Sequence, residues 1–240
     1  MTSGAQLGER IGWGGTCDVH DWGGGLVVKL FKPGWEYLAS VELERARAVH
    51  AAGVPCPVVH DLVTVNGRTG LVFDRVEGPW ALGGPDGVAI TARVHAAIHD
   101  VEAPATLPRL VDAFADLGID GLPDGDRIFH GDLHPGNVLA DGDGWSVIDW
   151  SGAHVGARAA DVASSVLTIG YRGLRDGPKA MKIHQHRVRA ADSYLRHYTA
   201  LRPGSVDDLR RWTTAIGTVL LDREPDTPFA DDLRSRWIDP

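Results

Sequence analysis

Apolar and polar residues follow two different periods along this chain, and the period changes near residue 77. Before that point the apolar runs are short and are separated by glycine, proline or asparagine, which is typical of β-strands. The Asn66-Gly67 pair between two of these runs is a strong signal for a β-hairpin. We expect five strands and one helix here, with three strands within residues 7–32, the helix at 37–52, and two strands at 58–65 and 71–76.

From residue 77 onward the apolar positions recur at intervals of three and four residues, which predicts amphipathic helices. Asp161 stands at the predicted start of one helix, where an aspartate is first of all a cap. Residues 205–208 have the form of a capping box at the start of another. The two patterns predict an α+β chain with a β-rich N-terminal lobe, residues 1–76, and a mainly helical C-terminal lobe, residues 77–240. The remaining predicted helices lie at 88–99, 109–117, 178–201 and 205–221.

A polar stretch within the second lobe carries the densest set of chemically useful side chains. Residues 128–150 have the sequence IFHGDLHPGNVLADGDGWSVIDW, in which two loops deliver Asp132, Asn137 and Asp149 and a DGDG turn forms a hairpin between them. Phosphoryl transfer needs such a set. One carboxylate orients the attacking hydroxyl, while an amide oxygen and a second carboxylate hold the magnesium ions beside the phosphates.

A different metal centre is an alternative for the same stretch. His130, Asp132 and His134 form an H-x-D-x-H cluster, and such clusters can bind zinc or a pair of metal ions. This alternative assigns no role to Asn137, to the hairpin or to Asp149. Taken singly, each of the two histidines is better explained as a residue that shapes the loop.

The N-terminal lobe supplies a candidate phosphate site. Gly12, Gly14 and Gly15 lie between two predicted strands, and glycine lets backbone N–H groups approach phosphate oxygens because no Cβ stands in the way. Lys29 lies inside an apolar strand, where an unpaired ammonium group is costly. It either binds phosphate with an acidic partner beside it or extends its tip to solvent from an edge strand.

The helix at 37–52 offers two acidic partners for Lys29. Glu42 follows Leu38 by four residues and so borders the apolar face of the helix, whereas Glu44 points elsewhere. We expect Glu42 to pair with the lysine, with Glu44 as the alternative.

Composition argues against several classes of function. The 240 residues are 43% hydrophobic, which is enough for a sizeable core, and no run approaches the ~18 apolar residues of a membrane span. The first ten residues lack the basic and apolar regions of an export signal. The two isolated cysteines, Cys17 and Cys56, fit a reducing cytoplasm. A net charge of −8 argues against nucleic-acid binding and is compatible with a cationic substrate.

Two motifs, HGDLHPGNVL at 130–139 and VIDW at 147–150, resemble the aminoglycoside phosphotransferase and choline kinase family of protein-kinase-like enzymes. The resemblance covers nearly the whole chain. It implies a bilobal protein-kinase-like fold, ATP or GTP as the phosphoryl donor, and Mg²⁺. It also implies that Lys29, positioned by Glu42, binds the phosphates, that Asp132 is the base, and that Asn137 and Asp149 hold magnesium. It further implies that Asp161 supports the catalytic loop. The implied nucleotide contacts are Gly12, Gly14, Gly15, Val19, Lys29 and the hinge residues Asp74 and Val76, where backbone groups would bind adenine.

The resemblance further implies transfer to a hydroxyl of a small molecule, such as an aminoglycoside, another amino-sugar or an amino-alcohol. A catalytically weak nucleotide-binding scaffold is an alternative, but a scaffold does not need Lys29, Asp132, Asn137 and Asp149 to be present together. A protein Ser/Thr kinase is another, and it is disfavoured because no activation segment is recognisable between Asp149 and Asp161. The acceptor, the choice between ATP and GTP, the oligomeric state and a part in antibiotic resistance stay open at this point.

Overall fold

The computed structural model describes residues 7–84 and 86–239, which form nine strands and seven helices. The strands are β1 (Arg10–Trp13), β2 (Cys17–Gly23), β3 (Leu26–Phe31), β4 (Val59–Val65), β5 (Arg68–Asp74), β6 (Arg127–Phe129), β7 (Val138–Asp141), β8 (Gly144–Val147) and β9 (His154–Gly156). The helices are α1 (Tyr37–Ala51), α2 (Gly87–Ile98), α3 (Leu110–Ala115), α4 (Arg158–Gly170), α5 (Ala180–Leu201), α6 (Leu209–Arg223) and α7 (Ala230–Leu233), followed by a π turn at Arg234–Ile238. No helix within the described ranges combines the length and the apolar character that crossing a bilayer requires.

The chain divides into two compact units, one of which is discontinuous in sequence. The first unit takes the chain up to Pro79 together with Leu139–Ser151, and the second takes Trp80–Val138 and the chain from Gly152 onward. The boundary predicted between residues 76 and 77 therefore misses one segment, Leu139–Ser151, which comes later in the sequence but belongs to the first unit. The β7–β8 hairpin belongs to the first unit because the backbone N–H of Ala140 donates to the Pro79 carbonyl, at 2.9 Å.

The first unit is built on a five-stranded antiparallel sheet with the strand order β1-β2-β3-β5-β4. The predicted Asn66-Gly67 turn is present, and both residues have positive φ, 50° and 78°, as a type I′ hairpin turn requires. Val28, Leu30 and Val72 form a buried cluster on the sheet. Helix α1 covers β4 and β5, so the expected lobe of five strands and one helix is observed.

The second unit is mainly helical, with α4 at its centre. Twelve of the thirteen residues of α4 are buried, and the helix packs against α5 and α6. Tyr194 and Tyr198 of α5 and Trp212 of α6 are fully buried, and the Trp212 ring meets Phe114 edge-on with 5.4 Å between centroids. The short β6 and β9 pair antiparallel at its margin. The expected helical lobe is therefore observed.

One predicted helix start and one predicted helix cap are wrong. Helix α6 begins at Leu209, and the Ser205 hydroxyl donates to the Arg202 carbonyl at 2.7 Å, so residues 205–208 do not form the capping box. Asp161 lies in the first turn of α4, but the cap residue is Ala157, so the predicted cap is wrong. Its carboxylate instead accepts backbone N–H groups of the loop that precedes Asp132, which agrees with the supporting role that the resemblance implies. Strand β9 was not predicted because a run of three residues is too short to show a period.

Candidate active site

In the first unit, Lys29 on β3 lies between two carboxylates. Its ammonium group donates to both carboxylate oxygens of Glu42, each at 2.8 Å, and to Oδ1 of Asp149 at 3.1 Å. Lys29 and Glu42 are buried, whereas the Asp149 side chain is 36% exposed. Glu42 thus holds the lysine in place, while the Asp149 carboxylate is partly accessible to a ligand.

The position of Glu42 follows from the periodicity of α1. Glu42 shares a buried face with Ala39, Ala46 and Val49, which recur at helical spacing, and Glu44 is exposed. The structure therefore pairs Lys29 with Glu42 rather than with the alternative, Glu44.

Burial and charge act against each other in this cluster. Burial of Lys29 disfavours the ammonium form, but the carboxylates of Glu42 and Asp149 outweigh that effect and raise the pKa of the lysine above its ordinary value. Burial raises the pKa of Glu42 to about 7, an effect to which Asp149 adds and which Lys29 opposes. Lys29 is therefore a permanent cation at physiological pH.

Asp149 is held in an unusual backbone conformation. Its φ is +67°, a left-handed value that a non-glycine residue adopts at some energetic cost and that is enriched at functional sites. The Ser151 hydroxyl donates to its Oδ1 at 3.2 Å, the same oxygen that contacts Lys29. A partly exposed carboxylate fixed in this way is a suitable oxygen ligand for Mg²⁺.

The predicted glycine loop joins β1 and β2. Gly14 and Gly15 are exposed, and a Cβ added to Gly15 would meet no atom within 4 Å. Gly12 differs from them, because it lies opposite Val19 in the strand pair and a Cβ there would approach the valine side chain to 3.4 Å. The backbone N–H of Gly14 already donates to the Cys17 carbonyl at 2.8 Å, so the loop backbone is open to a ligand at Gly15. Gly12 instead packs on Val19, which is half-buried.

The predicted hinge follows β5. The Asp74 carboxylate hydrogen-bonds with His60 Nε2 at 2.6 Å, so its side chain is engaged within the sheet. Val76 is half-buried, and no hydrogen bond from another described residue engages its backbone N–H or C=O. Adenine recognition by a hinge requires backbone N–H and C=O groups that are not already hydrogen-bonded, and the backbone of Val76 meets this requirement among the described residues. Gly78 allows the close approach of Ala140, whose carbonyl oxygen would lie 1.9 Å from an added Cβ.

In the second unit, Asp132 and Asn137 lie on one loop. The Asn137 side-chain N–H donates to the Asp132 carbonyl at 2.9 Å, so the amide oxygen of Asn137 is directed away from that bond and can serve as a metal ligand. Gly131 has a φ of +84°, and a Cβ there would approach the Phe129 ring to 2.7 Å. Only glycine fits at this position, directly before Asp132.

Asp161 anchors the start of this loop. Its carboxylate is fully buried and accepts the backbone N–H groups of His130, at 2.7 Å, and Gly131, at 2.9 Å. His95 Nε2 hydrogen-bonds with the same carboxylate at 2.9 Å, and His99 Nε2 lies 3.4 Å from it. Burial favours the protonated acid, but interactions with the two histidines outweigh it and hold the pKa of Asp161 well below its usual range.

Two further side chains contact Asp132, and both were missed by the sequence analysis. The Thr168 hydroxyl donates to Asp132 Oδ1 at 3.1 Å, and the Arg172 guanidinium donates to the same oxygen at 2.8 Å. Ser164, Thr168 and Arg172 recur every four residues and so lie on one side of α4 and its end. This polar stripe on an otherwise apolar helix was a signal that could have identified them.

The zinc alternative is not supported by the geometry. The Nδ1 atoms of His130 and His134 accept the backbone N–H groups of Asp132 and Gly136, at 3.2 and 3.1 Å, so both rings shape their own loop. Within the described part of the chain, the one group of three histidine, cysteine or acidic side chains close enough for a single ion is that of His95, His99 and Asp161.

Comparison with known proteins gives one family and one fold. The model of the phosphotransferase enzyme family (APH) matches residues 10–120 and 105–203. Among curated protein sequences, none matches the chain.

Several solved structures have the same fold. A thermostable mutant of the aminoglycoside phosphotransferase APH(4)-Ia, in ternary complex with ADP and hygromycin B, superposes with a TM-score of 0.63 at 18% identity, over 97% of this chain and 92% of the other. A choline/ethanolamine kinase family protein from Mesorhizobium loti gives 0.58 at 18% identity, over 96% and 86%. The aminoglycoside-3'-phosphotransferase of type VIII gives 0.58 at 20% identity, over 87% and 90%. The chain belongs to the phosphotransferase enzyme family and has the protein-kinase-like fold of the aminoglycoside phosphotransferases and choline kinases.

Proposed function

We propose that the protein transfers the γ-phosphoryl group of ATP or GTP to a hydroxyl group of a small molecule. The observation that carries this proposal is the Lys29 ammonium held by Glu42 at 2.8 Å and by the partly exposed Asp149 at 3.1 Å. A lysine fixed by one buried carboxylate, with a second carboxylate open to a ligand, is suited to bind nucleotide phosphates together with a metal ion.

Mg²⁺ is the metal that fits the available ligands. Asp149 and Asn137 offer a carboxylate and an amide oxygen, and Mg²⁺ prefers such oxygen ligands. When bound, the metal supplies neutralisation of the charge on the β- and γ-phosphates. Lys29 contributes a permanent positive charge to the same phosphates, and the exposed backbone of Gly15 offers an N–H donor to them.

Asp132 is suited to receive the acceptor hydroxyl. Its Oδ1 is engaged by Thr168 and Arg172, whereas no described residue donates to Oδ2. In the transfer, the acceptor oxygen bonds to the γ-phosphorus and the bond from that phosphorus to the β–γ bridging oxygen breaks. The hydroxyl proton passes to the Asp132 carboxylate, and the nucleoside diphosphate leaves. Such base assistance contributes about 10²- to 10⁴-fold to the rate.

The nature of the acceptor stays a prediction. An aminoglycoside, amino-sugar or amino-alcohol is favoured by the acidic net charge of −8 and by the hygromycin B in the complex of a structural neighbour. The family membership favours an enzyme over the scaffold and over the protein kinase. The predicted cytoplasmic location rests on the amino-acid composition alone.

The test is nucleotide turnover by purified protein with Mg²⁺ against a panel of hydroxylated amines, amino-sugars and hydroxy acids. The Asp132→Ala variant should lose turnover by about 10²- to 10⁴-fold, while its affinity for ATP or GTP, measured by calorimetry, stays that of the wild type. Asp143→Ala, which removes an exposed carboxylate on the β7–β8 turn, is the matched control. Wild-type turnover by Asp132→Ala would refute the assignment of the base.

A further inference from the structure

Arg172 lies beside the proposed base although half of its side chain is exposed to solvent. Its Nη1 donates to Asp132 Oδ1 at 2.8 Å, and the exposed fraction of its side chain is 51%. An exposed ion pair adds little to stability. The pair is therefore not explained by stability. The guanidinium group lies next to the carboxylate that is proposed to receive the acceptor hydroxyl.

The fold holds this arginine in position from its backbone. Tyr171 is the cap residue that follows helix α4, and the backbone N–H of Arg172 donates to the Leu167 carbonyl at 3.3 Å. Arg187 from α5 donates to the Thr168 and Ile169 carbonyls, at 2.6 and 2.7 Å, and so fixes the same helix end. The helix C-terminus also favours a cation at this point.

Most N–H donors of the Arg172 guanidinium group have no hydrogen-bond partner among the described residues. One of its N–H groups contacts Asp132, and within the described part of the chain no other hydrogen bond or ion pair is made by the Arg172 side chain. A guanidinium presents five N–H donors in a planar fork that matches a carboxylate or phosphate in a two-point contact. The donors that remain thus belong to the same planar group that contacts the proposed base.

The sequence around Arg172 is strongly basic although the whole chain has a net charge of −8. Between residues 171 and 189 the only acidic residue is Asp176. All the basic residues except Arg187 are exposed. The basic residues of this segment are Arg172, Arg175, Lys179, Lys182, Arg187 and Arg189.

We propose that Arg172 selects the acceptor, which carries a carboxylate or phosphate group close to the hydroxyl that is phosphorylated. The anionic group binds the open edge of the guanidinium while the hydroxyl bonds to Asp132 Oδ2. An amine at the same place faces a positive charge without a partner, which selects against purely cationic acceptors. This inference rests on the proposed phosphotransferase function, and it replaces the cationic acceptors that the net charge of the whole chain favours with acceptors that carry an anionic group.

The test compares acceptors of equal carbon number that carry either a carboxylate or an aminomethyl group at one end. Gluconate is compared with glucamine, and 4-hydroxybutyrate with 4-amino-1-butanol, with ATP or GTP and Mg²⁺. We expect kcat/KM to favour the carboxylate members by about 10- to 100-fold, in keeping with a two-point charged contact. Arg172→Met should abolish the preference and Arg172→Lys should keep part of it. Arg175→Met, three residues along and also exposed, should leave it unchanged.

A binding measurement decides the case in which none of these compounds is phosphorylated. Calorimetric titration of the wild-type protein with malonate and with inorganic phosphate should show binding that Arg172→Met loses and Arg175→Met retains. Turnover that depends on Asp132 but favours the amine members would overturn the inference and keep the phosphotransferase function. Absence of both the preference and the Arg172-dependent binding would also overturn it. Arg172-dependent anion binding without turnover on any acceptor would instead count against the phosphotransferase function.

Discussion

The two units each hold a carboxylate out of bulk water, and they compensate its charge in different ways. In the first unit, Glu42 and Asp149 share one cation, the ammonium of Lys29. In the second unit, the buried Asp161 has no lysine or arginine among its described contacts. It accepts two backbone N–H groups and a bond from His95 instead.

The two clusters differ in how open they are, and this points to different roles. The first cluster is held together by charge and is partly open at Asp149, so a phosphate or a metal ion can enter and exchange partners with Lys29. The second is closed, and each hydrogen bond fixes the backbone from which Asp132 extends. His95 and His99 are in turn held by the hydroxyls of Tyr194, at 2.5 Å, and Tyr198, at 2.6 Å, which ties the loop that carries Asp132 to α5. We therefore expect the first arrangement to serve ligand binding and the second to position the backbone around Asp132.

Removal of the Asp161 carboxylate should cause the largest loss of stability. Asp161→Ala leaves the buried N–H groups of His130 and Gly131 and the ring of His95 without their acceptor, which should cost about 4–6 kcal/mol of unfolding free energy. Urea denaturation measures this loss. Asp161→Asn keeps an acceptor oxygen and should recover part of it, while kcat stays low because the loop is displaced. A loss below about 1 kcal/mol for Asp161→Ala would mean that the network does not hold the loop.

Removal of Lys29 should be costly for a different reason, and a second substitution should repair it. Lys29→Met leaves the buried Glu42 without its counter-charge, which should cost about 3–5 kcal/mol. The double variant Lys29→Met/Glu42→Leu buries no charge and should recover most of that stability. Nucleotide binding, measured by calorimetry, should remain lost in both variants. Recovery of nucleotide affinity in the double variant would contradict the proposed contact between Lys29 and phosphate.

The elements and the chemical groups of the first unit were largely predictable from sequence, because they rest on local patterns. Strand periodicity and the Asn66-Gly67 turn predicted the sheet, and helical spacing placed Glu42 on the face that meets Lys29. The sequence did not predict that the β7–β8 hairpin belongs to the first unit. That placement depends on hydrogen bonds between residues about 60 positions apart in sequence, such as Ala140 and Pro79.

The second unit was less predictable for the same physical reason. The partners of Asp161 and Asp132 come from α2, α4 and the end of α4, and no local period connects them. The pairing of His95 and His99 with Tyr194 and Tyr198 shows a regularity only in retrospect, since both pairs have the four-residue spacing that aligns side chains on one helix face. The Arg172 contact required the structure.

The closed network of the second unit should make stability depend on pH in the acidic range. Burial, to which His95 adds, lowers the pKa of His99 from 6.5 to about 4. The unfolded chain therefore binds this proton at a higher pH than the folded one, and stability falls as the pH drops from about 6.5 to about 4. The loss amounts to about 3 kcal/mol over the whole window.

Urea midpoints between pH 7.5 and 5 measure this loss above the range in which most carboxylates titrate. His99→Gln should flatten the dependence by the contribution of one group, and His186→Gln, at an exposed position of α5, should leave it as in the wild type. An equal slope in the wild type and in His99→Gln would show that His99 is not held neutral by burial.

The smallest expected effect tests whether position, rather than charge alone, defines the cluster of the first unit. Glu44 lies two residues from Glu42 on the same helix, but it is exposed and does not contact Lys29. Glu44→Gln should change the unfolding free energy by less than about 0.5 kcal/mol and leave the KM for nucleotide unchanged. Glu42→Gln removes the same charge from the buried face and should raise that KM, because Lys29 then has Asp149 as its remaining carboxylate partner. Similar KM values for the two variants would mean that the lysine is positioned by the overall charge of α1 and not by its contact with Glu42.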